Sequence, residues 1–226
     1  MIKVFLILIS FSYCLLSAQQ IVLVVADNFD TSKATLSAYD GDKQVLKDID
    51  VNIGKNGLGW GLGVKKITHN TNEPLKMEGD KKAPAGIFDI GFAFGYQDKL
   101  DLNIPYIHAN DNLLCVDDIN SRFYNRFVNF DSGIKNFEHM KRKDQQYKYG
   151  LVVVHNQQQE KKRGSCIFLH IEKEKNHPTV GCTSMKEKDL LKILKWLDKE
   201  KNPILIQVPK IYLPEVYKLY PELKKN

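Results

Sequence analysis

The chain has 226 residues, of which 43% are hydrophobic and 27% charged, and its formal net charge is +6. This length fits one ordinary domain. The modest positive charge suits a binder of anionic polymers and an ordinary soluble protein equally well, so charge alone does not decide between function classes.

Residues 1–18 have the layout of a secretory signal peptide. A single positive charge at Lys3 precedes an apolar core over 4–16, and two small residues ending at Ala18 follow at a plausible cleavage point. The alternative is a single-pass membrane anchor, but the apolar core is shorter than the ~20 residues that span a bilayer. We therefore predict export to the periplasm or cell envelope, with no integral membrane span left after the signal is removed.

The segment from 21 to 155 is predicted to be mostly strands, because β-branched and apolar runs alternate there with turn residues. Buried or paired strands are predicted at 21–25, 34–39, 43–46, 113–116 and 151–154. A rigid turn at Pro84-Ala-Gly86 precedes a further strand. Residues 124–139 are polar and aromatic and are predicted to be a connector.

Four glycines alternate with other residues between 57 and 63. Neither their spacing nor their flanks match a nucleotide-binding loop. We predict instead a tight strand or loop in which the backbone approaches another segment closely.

A single convincing helix is predicted at 185–201. Leucines recur there at helical intervals, and Ser184 stands three residues before Glu187, which is the spacing of a capping box. A strand at 203–208 follows. The remaining residues, 209–226, are expected to pack on the domain as a tail that can form a short helix.

A histidine and a cysteine come together just ahead of this helix. The short apolar run 167–171 predicts a buried strand that ends near His170, and Cys182 falls in the turn that precedes the helix. The positive end of a helix and a nearby imidazole both favour a thiolate. A lone histidine at a strand end is usually structural, but this pairing predicts Cys182 as a nucleophile with His170 as its base.

Three cysteines lie outside the signal segment: Cys115, Cys166 and Cys182. An odd number leaves either one free thiol beside a disulfide or three unpaired thiols. Because Cys115 and Cys166 both lie in apolar, strand-like runs, we predict them as buried thiols in preference to a disulfide. Cys182 is predicted to be the free reactive thiol in either case.

Several stretches resemble the L,D-transpeptidase catalytic domain family, the YkuD-like cell-wall enzymes, and specifically a divergent exported branch. The resemblance rests on the order of a Pro-x-Gly-x-Phe turn, a late histidine and a Gly-Cys pair. The matching stretches are 78–88, 115–118, 124–126, 153–156, 164–170 and 178–182, which together cover roughly residues 54–208. The resemblance implies a mainly-β, sandwich-like catalytic domain over 19–208, with the nucleophile at the mouth of a groove.

The resemblance also implies a reaction. Cys182 would attack the carbonyl of a D-centred peptide bond in a peptidoglycan stem, giving a thioester that an amine then resolves. His170 would act as the base, with its other ring nitrogen held by the carbonyl of Ile171. The backbone amides of Gly181 and Cys182 would bind the oxyanion. Further residues implied to line the groove and bind substrate are Thr179, Asn125, Arg126, His155 and Asn156.

Two positions depart from the common motif of the family. Val180 stands where a histidine is common, and Ser184 stands where an arginine is common. The first removes a side-chain donor from the predicted oxyanion site, and the second removes the expected clamp on the substrate.

Other functions remain open at this point. Water could replace the acceptor amine, which would make the protein an L,D-carboxypeptidase, or the domain could bind the wall without catalysis. A zinc site is also conceivable, but the spacing of its candidate ligands fits no compact zinc pattern; these ligands are His155, His170, His177, Cys166 and Cys182. The favoured hypothesis is an exported cysteine-dependent L,D-transpeptidase that acts on peptidoglycan stem peptides with no cofactor, no metal and no nucleic-acid partner.

Overall fold

The structure is a computed structural model that describes residues 18–130 and 133–225. The predicted signal peptide therefore lies almost wholly outside the described residues. The described part is 39% strand and 13% helical, which confirms the mainly-β class. Within it, no helix is both long enough and apolar enough to cross a membrane.

The longer strands agree with the runs predicted from β-branched and apolar residues, whereas the sequence does not predict the three-residue strands at 106–108, 127–129, 137–139 and 183–185. Thirteen strands lie within the described residues. They are β1 Gln20–Ala26, β2 Lys33–Asp40, β3 Lys43–Asn52, β4 Leu58–Trp60, β5 Ala83–Gly95, β6 Tyr106–His108, β7 Leu113–Val116, β8 Phe127–Asn129, β9 Phe137–His139, β10 Tyr149–Val154, β11 Phe168–Ile171, β12 Thr183–Met185 and β13 Ile204–Pro209.

Ten of these strands form one sheet, and eight of the ten close into a ring in the order β10-β11-β12-β3-β2-β1-β13-β5 and back to β10. The other two, β4 and β6, pair with β5. The long strand β5 makes the closure possible, because it pairs with β13 over 86–89 and with β10 over 89–95. Strand pairing in the ring is shortest between β12 and β3, where it consists of Ser184 opposite Asn52. The predicted sandwich is thus a continuous ring, and the main core is formed by its strands together with the helical segments that pack on them.

The principal helix, α1, spans Glu187–Trp196, and a short 3-10 segment follows at Lys199–Lys201. The predicted capping box is wrong, because Lys186 is the N-cap and makes no side-chain cap hydrogen bond. Ser184 instead belongs to β12, where its backbone pairs with neighbouring strands. Strand pairing therefore prevails over the local capping signal at this point.

The C-terminal tail folds over the main core. It contains α2, Leu213–Leu219, flanked by 3-10 segments at Lys210–Tyr212 and Pro221–Lys225. Val216 and Leu223 are buried in the same cluster as the strands of the ring.

The glycine-rich stretch between 57 and 63 has the close backbone approach that its alternation predicts. A Cβ on Gly57 would stand 1.8 Å from the carbonyl oxygen of Phe29, and one on Gly63 would stand 2.0 Å from that of Ile87. Only glycine fits at such separations.

A separate three-stranded sheet has the order β8-β7-β9. Its central strand is the one predicted at 113–116, and its outer strands lie within the region predicted to be a connector. Its outer strands have three residues each, which is too short for an alternating pattern to be seen in the sequence. The connector prediction therefore missed two strands.

This small sheet is covalently tied to the ring. Cys115 of β7 and Cys166, which lies just ahead of β11, form a disulfide with Cα atoms 6.0 Å apart. The prediction of two buried free thiols is wrong, because folding brings two apolar runs 51 residues apart into contact. Cys182 is the free cysteine of the described residues.

Replacing both Cys115 and Cys166 with alanine is expected to lower the free energy of unfolding by about 4 kcal/mol, since the crosslink restricts a loop of this length in the unfolded chain. Urea unfolding of the oxidised protein and the double variant measures the difference. The reduced wild-type protein serves as the control and should unfold near the variant, whereas coincident curves for oxidised protein and variant would contradict the expectation.

Candidate active site

Cys182 lies immediately before β12 and is 5% exposed. Its sulfur accepts a hydrogen bond from the backbone N–H of Phe168 at 3.3 Å, and its thiol points to the carbonyl of Cys166 at 3.5 Å. Both partners belong to the start of β11 or the residues just ahead of it. The thiol is therefore positioned by the segment that the disulfide anchors.

The thiol of Cys182 is protonated at rest. Burial, and next the charge of Glu138, raises its pKa to about 12. The prediction that a helix end activates this thiol is wrong, because α1 begins only at Glu187 and β12 lies between them. The predicted nucleophile is therefore a buried thiol and not a thiolate.

His170 is a buried residue of β11, the strand that pairs with β12. Its Nδ1–H donates to the carbonyl of Ile171 at 2.8 Å, as the resemblance implies, which leaves Nε2 as the unprotonated nitrogen. The ring of Tyr147 packs edge-to-face against the imidazole, with the two ring centroids 5.3 Å apart. Burial lowers the pKa of His170 to about 4, so the imidazole is neutral at neutral pH.

The pairing of β11 with β12 brings Cys182 and His170, the predicted nucleophile and base, into one cleft. The two strands run parallel, with His170 opposite Ser184. Cys182 and His170 both line a cleft of about 220 Å³. Among the described residues no hydrogen bond joins the thiol to the imidazole, and catalytic contacts of this kind commonly tighten only when substrate binds. The cleft can support general-base chemistry from a neutral pair.

Thr179 holds the turn that carries the nucleophile. Its Oγ1 accepts the N–H of Gly181 at 3.1 Å and donates to the carbonyl of Cys182 at 2.6 Å. Gly181 has φ +147°, and a Cβ there would stand 3.2 Å from the carbonyl oxygen of Lys82. The Gly181 amide is thus occupied in this state, whereas within the described chain the N–H of Cys182 has no protein acceptor. The Cys182 amide is the donor left for an oxyanion.

The other predicted substrate ligands lie outside this cleft. Asn125, Arg126 and His155 line a neighbouring cavity of about 300 Å³ behind β11, and Asn156 lines a larger one of about 550 Å³. Arg126 is exposed and donates to the carbonyl of Gln157. Their role in substrate binding stays a prediction.

Three of these side chains brace the segment that leads into β11. His155 accepts the N–H of Leu62 at Nδ1 and donates from Nε2 to the carbonyl of Arg163, so both ring nitrogens are occupied. Asn156 donates to the carbonyl of Gly164. Asn125 donates to the carbonyls of His155 and Asn156, and its Oδ1 accepts the N–H of Cys166. These bonds fix the backbone that positions the thiol.

Sequence reasoning missed most of the remaining cleft wall. The wall also includes Arg142, Asp144, Gln146, Tyr147, Lys173, His177, Pro178, Val180 and Ser184. Tyr147 donates to Glu138 of β9 at 2.5 Å, which connects the small sheet to the cleft. Pro178 and Val180 lie in the matching stretch 178–182, and Ser184 is a departure from the common motif, but no motif marks the other residues of the wall.

No group of three or more His, Cys, Asp or Glu side chains within 18–130 and 133–225 is placed to hold a metal ion. Cys166, one of the ligands considered for zinc, is bonded to Cys115.

Residues 22–206 match the family described as YkuD, the L,D-transpeptidase catalytic domain. The chain belongs to this family. The family is cysteine-dependent and acts on peptidoglycan. No curated protein and no solved structure matches the chain.

For this L,D-transpeptidase-family domain, Thr179→Val is expected to lower the free energy of unfolding by about 1–3 kcal/mol, because it leaves the Gly181 N–H and the Cys182 carbonyl without their partner. Thr179→Ser keeps the hydroxyl and is the matched control, which should lose much less. Denaturant unfolding of the three proteins measures this. Equal losses for valine and serine would show that the hydroxyl does not hold the turn.

Stability is expected to fall as the pH drops from about 6.5 towards 4. Burial lowers the pKa of His155 to about 4, so between these values the unfolded chain binds a proton that the folded chain does not. Below pH 6.5, His155→Gln should reduce the dependence of unfolding free energy on pH by up to about 1.4 kcal/mol per pH unit. Urea unfolding at a series of pH values gives both slopes, and parallel curves would contradict a neutral buried His155.

Proposed function

We propose that this protein is an exported L,D-transpeptidase that uses Cys182 as nucleophile and His170 as general base on peptidoglycan stem peptides. The observation that carries the proposal is the shared cleft, in which the buried thiol and an imidazole with a free Nε2 meet. Membership of the family supplies the substrate class.

The first half of the reaction forms a thioester. Nε2 of His170 takes the thiol proton while the sulfur attacks the carbonyl carbon of a D-centred peptide bond. The carbonyl electron pair moves to oxygen, where the Cys182 N–H can donate to it. The resulting imidazolium returns the proton to the leaving amine, the carbon–nitrogen bond breaks, and the stem remains bonded to sulfur.

The second half releases the product. An acceptor amine attacks the thioester carbonyl, His170 takes a proton from that amine, and the carbon–sulfur bond breaks as the proton returns to the thiolate. Because both groups start neutral, the proton moves only when substrate is present. The raised thiol pKa and the lowered histidine pKa are therefore compatible with this sequence of steps.

Export is supported by two independent features. Residues 1–18 have the composition of a secretory signal. The Cys115–Cys166 disulfide is of a kind that persists in oxidising compartments such as the periplasm and is rare in the cytosol.

A noncatalytic wall-binding module is the second candidate. The observation that favours it is the protonated, buried state of the Cys182 thiol, since a reactive cysteine usually has a lowered pKa. Against it stands His170, whose Nδ1 is anchored in the way that a general base requires.

Incubating the purified protein with a tetrapeptide-bearing muropeptide is expected to give cross-linked or amino-acid-exchanged product, detected by mass spectrometry. Both Cys182→Ala and His170→Ala should abolish the product, because each removes one half of the proton-transfer pair. If either variant still formed the product at the wild-type level, the paired mechanism would be contradicted.

Two other results would redirect the assignment. A shortened tripeptide as the sole product would mean that water is the acceptor and that the protein is an L,D-carboxypeptidase. An unchanged muropeptide, with no adduct on Cys182, would overturn the enzyme assignment and favour the binding module.

A further inference from the structure

Ser184 is a buried hydroxyl without a partner in the described chain. Its side chain lines the cleft of Cys182 and His170, the residue is 1% exposed, and its Oγ makes no hydrogen bond. An unsatisfied buried polar atom is costly, so it needs an explanation. Its position opposite His170 on the paired strands places it where a substrate group can satisfy it.

Arg142 enters the same cleft from a distant part of the chain and is held in place on one side. Its Nε and Nη2 donate to the two carboxylate oxygens of Asp144 at 2.9 and 2.5 Å, and its guanidinium lies 5.0 Å from the ring centroid of Tyr147. Asp144 is fixed in turn by the backbone and side-chain amides of Gln146. The guanidinium is therefore preorganised.

Part of this guanidinium remains available to a ligand. Among the described residues Nη1 has no hydrogen-bond acceptor, and the Arg142 side chain is 37% exposed. Asp144 balances one positive charge, but Lys173 lines the same wall, so the cleft keeps an excess of positive charge. Fixed guanidinium donors of this kind suit a carboxylate.

The proposed reaction tells which carboxylate would reach these groups. His170 must return a proton to the leaving amine, so the nitrogen of the leaving amino acid faces Nε2. In a terminal amino acid the α-carboxyl carbon is only two bonds from that nitrogen, and Ser184 is the direct neighbour of His170 across the strands.

We infer that Arg142 and Ser184 bind the free α-carboxylate of the leaving amino acid. This inference rests on the proposed function and specifies its selectivity for the donor stem. The amino acid released by attack on the donor must be the last one of the stem and carry a free carboxylate. Ser184 occupies the position at which the family's common motif has an arginine, and here a guanidinium reaches the cleft from residue 142 instead. Val180, which is 73% exposed, lies in the wall of the same cleft.

The test compares two donors, a disaccharide-tetrapeptide with a free C-terminal carboxylate and the same molecule with a C-terminal amide. Wild-type protein is expected to favour the carboxylate donor by about 10- to 100-fold in kcat/KM, the range of a charge-assisted hydrogen bond. Arg142→Ala should remove most of this preference by losing activity on the carboxylate donor, and Arg142→Lys should restore part of it.

Ser184→Ala separates recognition from folding. It removes an unpaired hydroxyl and no hydrogen bond, so the variant should unfold at the same or a higher denaturant concentration than wild type. Its kcat/KM on the carboxylate donor should nevertheless fall about three- to tenfold. Arg122→Ala, at an exposed arginine that stacks on Phe123 outside the cleft, is the control and should keep the wild-type preference.

Equal use of both donors by wild type, or equal losses on both donors in Arg142→Ala, would overturn the inference. If wild type turns over neither donor, the proposed function fails, and calorimetric binding of the same donors to Cys182→Ala decides the subsite separately. Tighter binding of the carboxylate donor, lost on adding Arg142→Ala, supports it, and equal or absent binding of the two donors refutes it.

Discussion

The parallel pairing of β11 with β12 is the constraint on which the site depends. It places His170 opposite Ser184 and leaves Cys182 at the entry to β12, where the N–H of Phe168 reaches its sulfur. Neither strand is longer than four residues, so their register depends on the neighbouring strands of the ring. The ring supplies this support through β10 on one side and β3 on the other. Cys182 and His170 are thereby brought together by backbone hydrogen bonds between strands and not by a bond to each other.

Burial shifts the pKa values of Cys182 and His170 in opposite directions. A low-dielectric environment disfavours both charged forms, so it raises the pKa of the thiol and lowers that of the imidazole. An ion pair formed in advance is therefore disfavoured. What the protein fixes instead is geometry: the carbonyl of Ile171 selects the tautomer, and Thr179 shapes the turn that presents Cys182. In the proposed reaction, the Cys182 amide and the His170 imidazole would be in position before any charge develops, which is the arrangement that makes electrostatic stabilisation effective.

A second layer of contacts connects the site to the small sheet. The disulfide joins β7 to the approach to β11, Asn125 holds the backbone of Cys166, and Tyr147 links the His170 ring to Glu138 of β9. The same region supplies Arg142, whose guanidinium is oriented by Asp144. The small sheet and its flanking loop thus contribute both support and one wall of the cleft. This wall therefore comes from a region of the chain that carries neither Cys182 nor His170.

The sequence by itself determined the family, the mainly-β class, most long strands and the pairing of Cys182 with His170, because alternation and motif order are local properties. It did not determine the cap of α1, the Cys115–Cys166 disulfide or the cleft wall at Arg142 and Tyr147. Each of these depends on which strands pair across the ring and on where the small sheet folds back, and such contacts leave no periodic signal. The charge states were likewise decided only by the tertiary structure, since burial, and not residue type, sets the pKa values of Cys182 and His170.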